Sequence, residues 1–343
     1  MRKGDKGTTC RKGPDPMKRP WLAPLTPLYA AGAALRNLRL GTGWEPVQRL
    51  RFPVVSIGNL STGGAGKTPL TIALARALTL RGLHVDVLSR GYGRKSRKPA
   101  RVDPTGTAED FGDEPLLIAR KTGLPVFVAS QRYEAGLLAE AAIPDPEKPT
   151  VHLLDDGFQH RQLHRDVDIL LLNRKDWSDS LLPAGNLREP LKATRRATVI
   201  AIPAENPAFE TELRAWGWHG PIWRLKRKMD IPAVDGPILA FCGIAHPEQF
   251  FGGLEAARLK VAARIAFPDH HRYTAADLDR IKSEALDSAA AAAITTEKDQ
   301  VRLGNLASAF QESPPLLTAN LLVEIEDEPV AINWLVMRTA QAL

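Results

Sequence analysis

The chain has 343 residues, of which 44% are hydrophobic and 25% charged, an ordinary globular composition with enough material for two domains. Its two cysteines, Cys10 and Cys242, provide neither a disulfide framework nor a metal-ligand spacing, and they favour a reducing compartment. The formal net charge of +7 comes from residues 1–50, so we predict an N-terminal partner of opposite charge and no nucleic-acid partner.

Residues 1–20 are predicted to be a disordered basic tail, and the sequence leaves open whether translation starts at Met1 or Met17. Residues 21–50 are predicted to contain an amphipathic helix, because apolar side chains recur at helical spacing: Leu28, Ala31, Leu35 and Leu38. The apolar stretch is too short to span a bilayer. Two interpretations stay open: the helix lies in the interface of an anionic membrane, or it packs on the body of the protein.

A glycine-rich segment between a predicted strand and a predicted helix organises the rest of the chain. The apolar run Val54–Ile57 leads into Ser61-Thr62-Gly63-Gly64-Ala65-Gly66-Lys67-Thr68, and helical spacing follows over residues 69–81. In such a loop the backbone N–H groups bind phosphate, Lys67 reaches the terminal phosphates and the Thr68 hydroxyl binds Mg²⁺. We therefore predict a nucleoside-triphosphate site, although Ser61 stands where the general pattern has its first glycine.

Further strands and helices are predicted to alternate downstream of this loop. A polar loop is predicted at 95–111, and the helix after it begins at Asp113, which has the simple interpretation of a helix N-cap. The strand Val151–Leu154 runs into Asp155 and Asp156. Carboxylates that follow a strand downstream of a phosphate loop are typical of a Mg²⁺ site, so we predict that this pair lies near the metal.

Several of these segments occur together in one known family. The matching pieces are Gly58-Asn59, the loop from Gly63 to Pro69, Ser89-Arg90-Gly91-Tyr92, Gly112-Asp113-Glu114-Pro115, the Asp155 to His160 turn, Arg165-Asp166-x-Asp168, Arg188-Glu189-Pro190, Phe267-Pro268-Asp269-His270 and Thr295-Thr296-Glu297-Lys298-Asp299. On these residues the chain closely resembles the tetraacyldisaccharide 4'-kinases, the lipid A 4'-kinases of Gram-negative bacteria. The resemblance covers roughly residues 50–300.

The resemblance implies phosphoryl transfer from ATP to the 4'-hydroxyl of an acylated disaccharide 1-phosphate, at the cytoplasmic face of the bacterial inner membrane. It matches Lys67 and Thr68 to the phosphate-loop lysine and the Mg²⁺ threonine. It also matches Asp155 and Asp156 to the acidic pair near the metal, without deciding which of the two is the direct ligand.

The resemblance also implies how the acceptor is bound and activated. Asp113 matches the aspartate that takes the proton of the sugar hydroxyl, and His270 matches the histidine that assists it. A carboxylate within hydrogen-bond reach of a sugar hydroxyl is chemically suited to that role. The side chains that match residues near the sugar and its phosphate are His160 and Arg188, with Gln159 and Glu189 as weaker candidates.

A second interpretation comes from another class of protein. Residues Asn173-Arg174-Lys175-Asp176 are similar to the Asn-Lys-x-Asp guanine-recognition motif, with Arg174 where that motif has lysine. Together with Thr62-Gly63-Gly64 this would indicate a P-loop GTPase switch or metallochaperone. A third possibility is a membrane-anchored protein that uses nucleotide only structurally. The GTPase switch has no use for the Gly-Phe-Gln-His turn, so the kinase is preferred to it, whereas the third possibility predicts no turnover when lipid is added.

The alternation of strands and helices predicts an α/β fold like that of P-loop NTPases, with a mainly parallel sheet, helices on both faces and a smaller C-terminal α/β domain. We place a P-loop kinase domain at 51–225 and a C-terminal lid domain at 226–343. Asp113 and His270 belong to different parts, so the implied site is a cleft closed by moving the two domains together. The oligomeric state is not predicted.

Overall fold

The computed structural model describes residues 19–42, 44–310 and 314–341, so almost all of the predicted tail lies outside the described residues. The strands are β1 (Val54–Asn59), β2 (His84–Ser89), β3 (Ala100–Arg101), β4 (Val126–Val128), β5 (Thr150–Asp155), β6 (Val167–Leu171), β7 (Val199–Pro203), β8 (Ile222–Asp230), β9 (Pro237–Cys242), β10 (Lys260–Ala266), β11 (Ala292–Thr296) and β12 (Leu316–Ile325). The α-helices are α1 (Thr26–Gly41), α2 (Lys67–Leu80), α3 (Ala108–Phe111), α4 (Asp113–Thr122), α5 (Arg132–Ala141), α6 (Arg174–Trp177), α7 (Pro207–Ala215), α8 (Pro247–Ala256), α9 (Ala275–Asp287), α10 (Glu297–Leu303) and α11 (Glu328–Ala340). Segments of 3-10 helix lie at Pro20–Leu25, Leu191–Arg196 and Gly304–Phe310.

All of these strands belong to one 12-stranded sheet, in the order β10-β9-β11-β12-β8-β7-β6-β1-β5-β2-β4-β3. Neighbouring strands are parallel except for the antiparallel pairs β8–β12 and β3–β4. The predicted mainly parallel α/β sheet is therefore confirmed. Strand β1 lies between β5 and β6, so the order of the strands reverses around it. In open α/β sheets, ligands bind outside the carboxyl ends of the strands at such a reversal.

Helices cover both faces of the central strands, which are buried along their whole length. On one face, Leu74 of α2, Ile118 of α4 and Leu335 of α11 belong to a single apolar cluster. On the other face, Ala139 of α5 and Phe209 of α7 pack against the same strands in two further clusters. Each such leucine, isoleucine or phenylalanine contributes about 1.5 to 3 kcal/mol through burial, which fixes the carboxyl ends of the strands relative to one another.

Strands β8 and β12 join the two parts of the sheet. Their antiparallel register runs from Leu225 opposite Ile325 to Asp230 opposite Asn320. The predicted domain junction at residue 226 lies inside β8, so the sheet is continuous across it. The division into 51–225 and 226–343 stays a prediction.

The predicted N-terminal helix is present as α1, and it rests on the body through polar contacts. The Tyr29 hydroxyl donates to the Arg188 carbonyl at 3.0 Å. The predicted apolar face points away from the body, since Leu28, Leu35 and Leu38 are 74%, 52% and 60% exposed. None of the described helices is long and apolar enough to cross a membrane.

Candidate active site

The loop between β1 and α2 has the geometry of a phosphate-binding loop. Gly63 and Gly66 have φ angles of 102° and 90°, a region that glycine enters at little cost. Lys67 is the first residue of α2, and its Nζ donates to Oδ1 of Asn59 at 3.0 Å. Thr68 follows it and is buried. The chain thus places a lysine, a hydroxyl and a helix N-terminus together at the carboxyl end of β1, where anions bind.

The other side of this loop is bonded to the segment around residue 187. The Thr62 N–H donates to the Asn186 carbonyl at 2.9 Å, and the Arg188 N–H donates to the Leu60 carbonyl at 2.7 Å. Two segments that are far apart in the sequence are therefore one structural unit. The predicted nucleotide-binding residues lie together in it: Ser61, Thr62, Gly63, Gly64, Ala65, Gly66, Lys67 and Thr68.

Asp155, the last residue of β5, has one unpaired oxygen. Its Oδ1 accepts the Thr71 hydroxyl at 2.9 Å, whereas Oδ2 is buried without a hydrogen-bond partner. Burial raises the pKa of this carboxyl group to about 7, and the nearby charges of Glu114 and Asp156 act in the same direction. A buried polar atom without a partner costs free energy, so Oδ2 is suited to accept a cation.

Asp156 connects the phosphate loop to a second group of side chains. Its two oxygens lie 3.2 and 3.1 Å from Nη1 of Arg188, and Oδ1 lies 3.4 Å from Nζ of Lys67. Burial alone would raise the pKa of Asp156, but Lys67 and Arg188 outweigh it and lower the pKa to about 2. Arg188 also donates to Oε1 of Gln159 at 3.3 Å. Both carboxylate oxygens of Asp156 therefore have partners, whereas Oδ2 of Asp155 has none.

In the part of the chain that the structure describes, no group of three or more His, Cys, Asp and Glu side chains is arranged to hold a metal. Mg²⁺ commonly binds through one or two carboxylates together with water and substrate phosphates. The Asp155 carboxylate and the Thr68 hydroxyl meet that description, and both are buried at the same sheet edge.

Gly58 of β1 brings the acidic turn against the phosphate loop. A Cβ atom at this position would lie 2.8 Å from the backbone nitrogen of Phe158 and 2.5 Å from its Cβ. Only glycine fits such a contact without displacing the chain. The turn that carries Asp155 and Asp156 is consequently packed directly on the strand that leads into the loop.

A cavity of about 550 Å³ opens beside Asp156. Its lining includes four arginines: Arg36, Arg90, Arg132 and Arg188. Two of the predicted substrate-binding residues, Gln159 and His160, line it as well. Burial and the charges of Arg132 and Arg165 lower the pKa of His160 to about 3, so its ring is neutral. The cavity is suited to a polar ligand that carries negative charge.

The fourth predicted substrate-binding residue, Glu189, has a different environment. It is fully buried, and its two carboxylate oxygens accept from Arg196 at 2.9 and 3.1 Å. Asn37 of α1 also donates to it at 3.4 Å. The structure thus brings Gln159, His160 and Arg188 together around the cavity and places Glu189 behind them, in contact with α1.

Asp113 and His270 meet across the two parts of the sheet. Nδ1 of His270 donates to Oδ2 of Asp113 at 3.0 Å, a contact between residues 157 positions apart. Asp113 is the first residue of α4, where Gly112 has the capping position, so the simple N-cap interpretation does not account for its carboxylate. Burial would raise the pKa of Asp113, but His270 and Arg302 lower it well below its ordinary range.

Arg302 was not predicted, although it contacts Asp113 directly. Its Nε donates to Oδ2 of Asp113 at 2.7 Å. The residue lies on α10, one helical turn after Lys298, and Lys298 pairs with Glu114. That spacing puts both cations on one side of the helix, which was the available signal in the sequence.

The fold and the site together define a P-loop phosphotransferase. A phosphate loop, a buried carboxylate suited to a cation and a carboxylate–histidine pair are groups suited to phosphoryl transfer to a hydroxyl. The resemblance to guanine-recognition motifs has a structural explanation, because the Asn173 side chain accepts from the backbone N–H groups of Lys175 and Asp176 and caps the short helix α6.

Comparisons with known proteins identify the family. A family model described as tetraacyldisaccharide-1-P 4'-kinase matches residues 18–339, and the chain belongs to this family. A tetraacyldisaccharide 4'-kinase of Koribacter versatilis is 41% identical over 91% of this chain and 97% of its own length. One from Neisseria meningitidis serogroup A is 36% identical over 91% of this chain and 93% of its own.

A solved structure agrees with this membership. The crystal structure of the "apo" form of LpxK from Aquifex aeolicus in complex with ATP has a TM-score of 0.74 and 33% sequence identity. It covers 93% of this chain and 98% of that chain. The family predicted from the sequence is thus confirmed, and the GTPase or metallochaperone is not favoured.

Proposed function

We propose that this protein transfers the γ-phosphoryl group of ATP to the 4'-hydroxyl of an acylated disaccharide 1-phosphate. The observation that carries the proposal is Asp156, which contacts Lys67 of the phosphate loop on one side and Arg188 of the cavity on the other. Donor and acceptor sites are therefore adjacent.

In the proposed reaction, the 4'-oxygen forms a bond to the γ-phosphorus while the bond from that phosphorus to the β–γ bridging oxygen breaks. ADP leaves, and the hydroxyl proton passes to the Asp113 carboxylate. His270 orients that carboxylate through its 3.0 Å hydrogen bond. Lys67 and the loop N–H groups neutralise charge on the phosphates, which is the larger part of catalysis in this class of reaction.

Thr68 and Asp155 are the residues that we propose to hold Mg²⁺. The buried, unpaired Oδ2 of Asp155 supports the choice of Asp155 over Asp156 as the direct ligand, because both oxygens of Asp156 contact Arg188. The ion would supply neutralisation of the transferring phosphoryl oxygens.

The arginine-lined cavity is proposed to take the sugar phosphate, with His160, Gln159 and Arg188 as contacts. Helix α1 lines this cavity with Arg36 and Leu40, while its leucines Leu28, Leu35 and Leu38 are exposed. Exposed apolar patches beside a binding site mark contact with lipid or protein. We propose that α1 lies in the anionic surface of the inner membrane, on the cytoplasmic face, and leads the acyl chains toward the site.

The activity is tested by incubating the protein with γ-labelled ATP and a lipid disaccharide 1-phosphate. We expect label in the lipid and about a 1,000-fold loss in Lys67→Ala, because the charge that Lys67 neutralises is then unscreened. The control is Lys148→Ala, because Lys148 is an exposed lysine outside the phosphate loop. Label released to water regardless of lipid, or a preference for GTP, would contradict the kinase.

The membrane contact is tested with vesicles containing anionic lipid. The triple variant Leu28→Ser, Leu35→Ser, Leu38→Ser should bind at least about 10-fold more weakly, since burial of each leucine contributes about 1.5 to 3 kcal/mol. The matched control is Leu80→Ser with Leu286→Ser, because these leucines are 86% and 72% exposed on other surfaces. Equal binding of the two variants would rule out α1 as the contact.

A further inference from the structure

The Arg302 side chain lies buried between the two parts of the sheet, with only 5% of it exposed. Its Nε donates to Oδ2 of Asp113 at 2.7 Å, and its Nη1 lies 3.1 Å from Oδ1 of Asp299. Nη1 also donates to the Gly243 carbonyl. The guanidinium therefore connects the start of α4 to two residues of the C-terminal part, Asp299 and Gly243.

Asp299 holds Arg302 in this orientation. It is fully buried and is itself fixed by hydrogen bonds from the Gly243 N–H at 3.0 Å and the Tyr273 hydroxyl at 3.0 Å. The Thr296 hydroxyl donates to its second oxygen at 2.6 Å. Because Asp299 is buried and held by these three donors, the guanidinium has a preset direction before anything binds to Asp113.

The two oxygens of Asp113 are consequently not equivalent. Oδ2 accepts from both Arg302 and His270. Oδ1 accepts the N–H of Glu114, the next residue of its own helix, at 2.9 Å. A carboxylate oxygen can accept two donors, so Oδ1 keeps a lone pair for a hydroxyl proton.

Resting on the function proposed above, we propose that Arg302 is a positioning residue for the phosphoryl transfer. It fixes Oδ2 of Asp113, so that Oδ1 is the oxygen that takes the proton of the acceptor hydroxyl. Arg302 acts through Asp113 and not on the nucleotide.

The positive charge of Arg302 weakens Asp113 as a base. The charged groups around Asp113 are His270, Arg302, Lys298 and Glu114, and the cations among them keep the carboxylate ionised. An ionised carboxylate with a low pKa is a weaker proton acceptor. Removing Arg302 would strengthen the base and release its orientation, so a net loss of rate identifies orientation as the larger effect.

Helix α10 could also affect the rate by holding α4 in place, and this effect has to be separated from the orientation of Asp113 by Arg302. Helices α10 and α4 are also joined by the ion pairs Lys298–Glu114 and Lys121–Glu297. Lys121→Ala removes the second pair at the far end of α4 and leaves Asp113 untouched. It is therefore the matched control for loosened packing between the two helices.

The experiment measures kcat and the KM for ATP by label transfer to the lipid. Arg302→Ala should lower kcat by about 100-fold, the effect of a small misplacement of a reacting group, with the KM for ATP unchanged. Arg302→Lys should recover part of the loss, since it restores the charge without the planar fork. Lys121→Ala should keep the wild-type kcat.

A double-mutant cycle decides whether Arg302 acts through Asp113. In the Asp113→Asn background, Arg302→Ala should cause no further loss of kcat in single-turnover measurements. Additive losses, a wild-type kcat in Arg302→Ala, or an equal loss in Lys121→Ala would each overturn the proposal. If Arg302→Ala does not fold, Arg302→Lys carries the same cycle. Absence of label transfer by the wild-type protein would instead overturn the proposed function.

Discussion

Two Asp–His pairs in this protein have similar geometry and opposite surroundings. Nδ1 of His152 lies 2.8 Å from Asp86, and Nδ1 of His270 lies 3.0 Å from Asp113. The first pair joins directly opposed residues of the neighbouring strands β2 and β5, and the His152 side chain is 0% exposed. The second pair spans the two parts of the sheet, and 36% of the His270 side chain is exposed.

The charges of the two pairs are stabilised by different means. Burial alone would lower the pKa of His152, but Asp86 and Glu140 outweigh it and raise the pKa to about 9. The pKa of His270 is raised mainly by its hydrogen bond to Asp113. The first pair is inaccessible to solvent and to any substrate, so it contributes to the stability of the fold. Access, and not residue type, therefore distinguishes the pair proposed to act on the acceptor from the pair that is closed off.

The largest expected effect is that of Asp113→Asn on turnover. The amide keeps the shape of the side chain but cannot take a proton, so kcat should fall by about 1,000-fold with little change in the affinity for ATP. Label transfer to the lipid and equilibrium binding of ATP measure the two quantities. A much weaker affinity for ATP would show that Asp113 contacts the nucleotide and not the acceptor.

The same substitution at the other pair, Asp86→Asn, should change stability and leave chemistry intact. Breaking a buried ion pair by removing one charge costs about 3 kcal/mol or more of the free energy of unfolding. Urea unfolding measures this loss, and kcat per folded molecule should match the wild type. A loss of kcat in the folded fraction would remove the distinction between the pairs.

A smaller effect is expected from His270→Gln. The glutamine amide still donates to Asp113, although from a more flexible side chain, so kcat should fall by about 10-fold, as for other groups that orient a reacting residue. Label transfer under the conditions used for Asp113→Asn gives the comparison. A loss as large as that of Asp113→Asn would make His270 a direct participant in proton transfer.

The smallest effect is a dependence of stability on pH. The folded-state pKa of His152 is above the unfolded value of about 6.5, so its contribution is complete below that pH and is lost as pH rises through about 9. The melting temperature should therefore fall more between pH 7 and 9.5 in the wild type than in His152→Gln. His219→Gln, at an exposed position, should follow the wild type. Parallel curves for wild type and His152→Gln would contradict the assignment.

Much of the fold was predictable because the central strands have sequence patterns that can be recognised locally. Strand β1 and helix α2 have the apolar spacing and the glycines that a strand–loop–helix unit requires. The predicted polar loop at 95–111 was wrong in part, since it contains strand β3 and helix α3. Strand β3 has two residues and exists through pairing with β4, which no local pattern reports.

The residues of the candidate site were likewise predictable only in part. Lys67 and Thr68 follow from the loop itself, whereas the contact of Asp113 with His270 came only from the resemblance. Arg302 was missed because its partner is 189 positions away and a helical arginine usually lies in solvent. The prediction of two domains rested on chain length, and the junction was placed at the basic run Lys226-Arg227-Lys228, which gives no information about pairing with β12.

The tight contact at Gly58 has a consequence for sequence variation. Any side chain here would push the backbone of Phe158 outward and carry the neighbouring acidic turn with it. A screen for inactive variants should thus return substitutions of Gly58, a residue with no side chain to take part in the reaction. At Gly58 there is no space even for a single methyl group. We therefore expect position 58 to tolerate fewer substitutions than many positions that line the pocket itself.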